Sequence, residues 1–85
     1  MQSKQAAQAQ AGVAQIEEAI LSLLAEYEDG LINNEIARAL GLESDFQGRQ
    51  RNYLTYSVLG GMMKKGLIVR EQIGRRQPFK KVERA

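Results

Sequence analysis

Apolar residues return at intervals of three and four along Val13 to Asp29. Val13, Ile16, Ala19, Ile20, Leu23, Leu24 and Tyr27 share one side, while Gln15, Glu18, Ser22 and Glu26 fall on the others. That period predicts an amphipathic helix, with Gly30 as its stop. Leu31 and Ile32 are too few for a strand of any length. Asn33 suits the N-cap of a second, short helix, Asn34 to Leu40, whose apolar edge is Ile36, Ala37 and Leu40 and which Gly41 ends. Leu42 to Gly48 reads as a turn with Phe46 as an inward anchor. A third helix fits Arg49 to Lys65. Leu54, Thr55, Val58, Leu59 and Met62 make its apolar stripe, and the opposite face carries Arg49, Tyr53, Tyr56, Gly60 and Lys64, bordered by Gln50 and Ser57.

The period then changes. Gly66 can cap the third helix, and a β-branched run follows from Leu67 to Ile73. Gly74, Arg75, Arg76, Gln77 and Pro78 read as a hairpin tip, after which Phe79 to Val82 returns antiparallel. The expected fold is mainly α with a small β-hairpin: three helices and a two-stranded ribbon, with Leu31 and Ile32 as a candidate third member. Residues 13–85 form this domain. Residues 1–12 contain no apolar side chain larger than Ala apart from Met1, so they read as a flexible Gln/Ala-rich tail.

Composition narrows the chemistry. The 85 residues include no Cys and no His, which excludes a disulfide framework, a zinc-finger ligand set and any His-dependent triad. No metal or other cofactor is expected. No run of apolar residues is long enough to span a bilayer, so the expected location is the cytoplasm. The formal charge of +2 conceals two halves of opposite sign. Met1 to Asp45 carries 2 basic and 8 acidic residues, and Phe46 to Ala85 carries 10 basic and 2 acidic ones. Cations clustered in this way suit a polyanion, because they release its condensed counterions.

The order helix, short helix, turn, longer helix and basic hairpin resembles the winged helix-turn-helix superfamily of bacterial and archaeal DNA-binding domains. Asn33 to Leu42 (NNEIARALGL) is similar to that family's second helix and turn. Val58 to Glu71 (VLGGMMKKGLIVRE) is similar to the end of its recognition helix leading into the wing. The resemblance spans about Val13 to Val82. It implies a third helix in the major groove and a wing, Gly74 to Pro78, beside phosphates or the minor groove. Arg49, Gln50 and Asn52 are residue types that read guanine or adenine edges. Tyr53 and Tyr56 offer hydroxyls to phosphate or rings to thymine methyls. Lys64, Arg70, Arg75, Arg76, Lys80 and Lys81 would position the duplex through its phosphates. Arg51 borders the apolar stripe, so it either joins them or pairs with an acid from an earlier helix.

Other features have plainer readings. Arg38, on an acidic helix, is structural. Met62 and Met63 are core filler. Glu26, Glu28 and Asp29 are a solvated helix end rather than a metal or acid–base site. Gly60 and Gly61, inside a helix, call for a compensating close approach by another backbone or by DNA. The expected function is thus a small transcriptional regulator that reads double-stranded DNA as a homodimer, without catalysis. The alternative is a protein-interaction winged helix, or a DNA-targeting accessory module of a larger restriction or repair complex.

Overall fold

The computed structural model describes residues 4–43 and 52–82. Among these the chain forms three helices, α1 (Lys4–Ala25), α2 (Asn33–Leu40) and α3 (Tyr53–Lys64), and two strands, β1 (Ile68–Arg70) and β2 (Phe79–Lys81). The coarse expectation of a mainly helical chain closed by an antiparallel hairpin is met. The expected anchor Phe46 lies outside the described residues.

α1 differs from its sequence reading at both ends. It starts at Lys4, so from there on the expected tail is the first part of the helix. Ala and Gln are good helix formers, and their summed propensity carries the helix through Gly12 at a cost of about 1 kcal/mol relative to Ala. Its far end comes at Ala25 rather than Asp29, and the chain leaves in tight turns, Glu26 N–H to Leu23 O and Tyr27 N–H to Leu24 O, both 3.1 Å. The early exit is forced by Gly30. Its φ of +81° turns the chain back on itself, and a Cβ there would lie 2.7 Å from the Phe79 carbonyl oxygen and 2.8 Å from Lys80 Cγ. Only glycine lets the two segments approach this closely. Tyr27 is therefore left exposed rather than on the buried stripe.

α2 is set by its ends. The N-cap is Ile32, one residue earlier than expected, in extended conformation. Its N–H donates to Glu35 Oε1 at 3.0 Å, so the third helical residue reaches back over the first turn. At the other end Gly41 N–H and Leu42 N–H reach back to Arg38 and Ala37. This is the left-handed glycine closure that the sequence signalled.

α3 begins at Tyr53, four residues later than expected, behind an Asn52 in the left-handed region (φ 58°, ψ 43°). Its buried side is Thr55, Val58, Leu59 and Met62. Leu54 and Met63, expected in the core, are exposed because the stripe is narrower than the sequence suggested.

β1 and β2 pair antiparallel with Ile68 opposite Lys81, Val69 opposite Lys80 and Arg70 opposite Phe79. The connecting turn is Ile73 to Arg76, which bond reciprocally (2.9 and 3.0 Å) around Gly74. Gly74 supplies the positive φ that a two-residue hairpin turn demands. The candidate third member exists as a single bridge. Leu31 N–H donates to Phe79 O at 3.1 Å, and Phe79 N–H donates to Leu31 O at 2.8 Å. Every element feeds one core: Ile20 and Leu24 from α1, Leu31, Ile36 from α2, Val58, Leu59 and Met62 from α3, and Ile68 and Phe79 from the strands.

Candidate nucleic-acid interface

Where α2, α3 and the hairpin meet, they enclose an open groove of about 390 Å³, lined by Ile32, Asn33, Asn34, Tyr56, Arg70, Arg75 and Gln77. Of the cationic residues singled out in the sequence, Arg70 and Arg75 come together here, with Tyr56. Arg70 is held by its own strand pair. Its guanidinium lies 5.0 Å from the centre of the Phe79 ring, and Nε donates to the Gln77 carbonyl at 3.4 Å. The ring face attracts the cation while leaving its outer N–H groups open to another acceptor. Arg75, on the hairpin tip, is exposed and forms no ion pair among the described residues. Tyr53 and Lys64 stand exposed on the outer face of α3, and Tyr56 is half-buried at the groove.

Arg76 behaves differently from its neighbour. The sequence offered no acidic partner close by, but the fold supplies one from α2. Arg76 Nη2 lies 2.8 Å from Glu35 Oε1. The Glu35 carboxyl is held below the usual carboxylate range, first by the backbone N–H of Ile32 and then by Arg76, against the opposing effect of burial. One carboxylate thus caps α2 and ties down one side of the hairpin tip.

Asn52 requires a correction. It is 1% exposed, so its side chain is not presented to a base edge in this fold. Its side chain donates Nδ2 to Asn34 Oδ1 at 2.8 Å, and its carbonyl accepts from Asn33 Nδ2 at 3.2 Å. The residue is a buried bracket joining the start of α3 to the start of α2. Arg49, Gln50 and Arg51 lie outside the described residues.

Lys80 and Lys81 also part from the groove. They line a larger one, of about 930 Å³, with Leu21, Leu24, Ala25, Tyr27, Glu28, Leu67 and Val82. β2 passes beside the end of α1, and both lysines line the groove between them. Lys80 pairs with Glu71 at 3.0 Å. The expected single cationic surface is thus divided in two. Arg38 pairs with Glu43 at 3.6 Å, and Lys65 pairs with Glu17 of α1 at 2.8 Å.

Sequence reasoning passed over Asn33, Asn34 and Gln77 as lining residues and Glu35 as the partner of Arg76. Asn33 had been read as a cap and Asn34 as the first residue of the helix it caps. An Asn pair at the start of a helix is also a signal for side-chain brackets, because Asn carries a donor and an acceptor. Among the described residues no group of acidic side chains could hold a metal ion, and no helix is long and apolar enough to cross a membrane. No protein-family model matches the chain, and no curated protein or solved structure matches it either.

Proposed function

We propose that the chain is a winged helix-turn-helix protein that binds double-stranded DNA, with α3 as the helix that enters the major groove and the Gly74–Pro78 hairpin tip as the wing. The observation that carries this reading is the juxtaposition of Arg70, Arg75 and Tyr56 in one open groove beside the exposed face of α3. The Leu31–Phe79 bridge supports it too, since a third strand braces the wing against the first two helices. In this reading Arg70, Arg75 and Lys64 neutralise phosphates and set register, and the hydroxyls of Tyr53 and Tyr56 donate to the same backbone. Two copies act on one site, because a domain this small covers little duplex. The protein acts as a cytoplasmic regulator and performs no catalysis.

Affinity for duplex DNA measured against salt tests the reading. Its logarithm should fall with log salt at a slope of order −4 to −8 for two copies, at about 0.9 per phosphate contacted. Arg75→Ala should weaken binding to all sequences alike and lower the slope by about 1 per copy. Binding indifferent to salt, or no binding at all, refutes it.

The larger groove favours a second reading, a protein-interaction domain, because Lys80 and Lys81 stand there among Leu21, Tyr27 and Val82. An acidic segment with one apolar anchor would fit those groups. Retention of an acidic protein by DNA-free chain, abolished by Lys81→Glu, would support that reading over the first.

A further inference from the structure

Gly74 and Arg75 are the two central residues of the hairpin turn, and Arg76 closes it against Ile73. The neighbouring arginines carry the same charge and meet different fates. Arg75 is exposed and forms no ion pair among the described residues. Arg76 Nη2 donates to Glu35 Oε1 at 2.8 Å, and the same oxygen accepts the Ile32 N–H at 3.0 Å. This contact borders the smaller groove, which Ile32 and Arg75 line. The other ion pairs among the described residues join Arg38 to Glu43, Lys65 to Glu17 and Lys80 to Glu71, and none of those residues lines that groove.

A brace for the hairpin is one use for such a pair, but the hairpin is already braced. Ile73 and Arg76 bond reciprocally through their backbones, Glu71 N–H donates to Pro78 O at 2.9 Å, and Phe79 is tied to Leu31. What the pair alone changes is charge. With Glu35 against Arg76, the tip presents one free cation instead of two. Position favours this acid over a phosphate: Glu35 is already held at the start of α2 by the Ile32 N–H, so it meets Arg76 with little further loss of side-chain freedom. The Arg76 side chain is nonetheless 52% exposed. Without the carboxylate it stands in solvent, where a phosphate oxygen can accept from the same guanidinium.

We propose that Glu35 is an autoinhibitory counter-charge, which holds Arg76 off nucleic acid and keeps the affinity of the chain for polyanions below what its hairpin can supply. The inference rests on the DNA-binding reading above and adds to it a residue that restrains binding. Arg75 meets phosphate at the tip while Arg76 stays on Glu35. An acid placed in this way is a repulsive element, and it lowers attachment to any polyanion met at random.

The test measures the anisotropy of a labelled random-sequence duplex against salt, together with melting temperature. It compares wild type, Glu35→Gln, Arg75→Ala, the double variant Glu35→Gln/Arg76→Gln, and Glu43→Gln, which removes the same charge from beside Arg38 on the same helix. Glu35→Gln should melt slightly below wild type and yet bind roughly three- to eightfold more tightly per copy near 0.1 M salt, with a slope steeper by about 0.9 per copy. Lower stability with higher affinity is a result that a brace does not produce, since a loosened hairpin binds more weakly. The double variant should bind like wild type, because a neutral pair replaces a neutralised one. Glu43→Gln should gain less than about twofold, since salt screens a charge away from the groove. If Glu35→Gln binds no more tightly than wild type while Arg75→Ala still weakens binding, the proposal is overturned and the DNA reading stands. A double variant with a shallower slope than wild type also overturns it, by placing Arg76 on a phosphate already. So does an equal gain in Glu43→Gln, which would make the effect one of net charge. If neither wild type nor Glu35→Gln binds in a salt-dependent way, the reading beneath the proposal falls with it.

Discussion

Asn52 shows how a residue that looks like a base reader is recognised as a bracket, and its replacement separates two contributions. In Asn52→Ala the left-handed conformation at φ 58° is retained by a residue that disfavours it, at a cost of about 1–2 kcal/mol. The 2.8 Å bond to Asn34 is also lost, for about 0.5–1.5 kcal/mol. The two together come to roughly 2–3 kcal/mol, a large share of the about 5–15 kcal/mol of a typical domain. Asn52→Gly keeps the conformation and removes the side-chain interactions, the bond to Asn34 among them, so it should cost at least roughly 1 kcal/mol. Urea unfolding at neutral pH, with Asn34→Ala as a companion, reads both values. The combination of Asn52→Gly and Asn34→Ala should be less than additive because they share one bond. If Asn52→Gly is as damaging as Asn52→Ala, backbone conformation is not what the position requires. If instead Asn52→Ala leaves stability intact and alters base preference, the residue does read DNA and the account of its burial is wrong.

Two further expectations concern the frame around the groove. Gly30→Ala should destabilise by more than about 2 kcal/mol, since positive φ and a 2.7 Å contact with backbone act together; a thermal melt within 2 °C of wild type would contradict the close approach. Glu35→Gln keeps an acceptor for the Ile32 N–H but removes the charge facing Arg76. Because the folded Glu35 carboxyl titrates below its unfolded value, its stabilisation is complete above the ordinary glutamate range and is lost as pH falls through the folded value. The difference between wild type and Glu35→Gln in chemical denaturation should therefore be largest near neutrality and shrink towards pH 3. A constant gap across that range refutes the ionic account.

The helical register of α2 and the core side of α3 were legible because period and stop agreed locally: Gly41 and Gly66 close the helices that the pattern outlined. The hairpin was legible for the same reason, with Gly74 at its tip. What sequence could not deliver depended on contacts between segments far apart. Asn52 has the chemistry of a DNA reader, and only the arrival of Asn33 and Asn34 beside it commits its hydrogen bonds inward. Arg76 has no acid nearby in the chain, yet Glu35 reaches it across the fold. Lys80 and Lys81 belong to the basic half by composition, but the path of β2 beside α1 brings them to a different groove from Arg70 and Arg75. Charge counts assign sign to a stretch of chain, whereas topology decides which side of the molecule receives it.

The double pairing of Phe79 bears on how this protein is made. Leu31 and Arg70 flank that residue on its two sides, and its ring fills the centre of the core. The three helices pack on one another, but their shared core lacks one of its largest buried side chains until this strand arrives. Assembly is then governed by long-range closure, which is slow compared with helix formation. A premature stop codon just before Phe79 would yield helices without a finished interior, a species that proteases would clear.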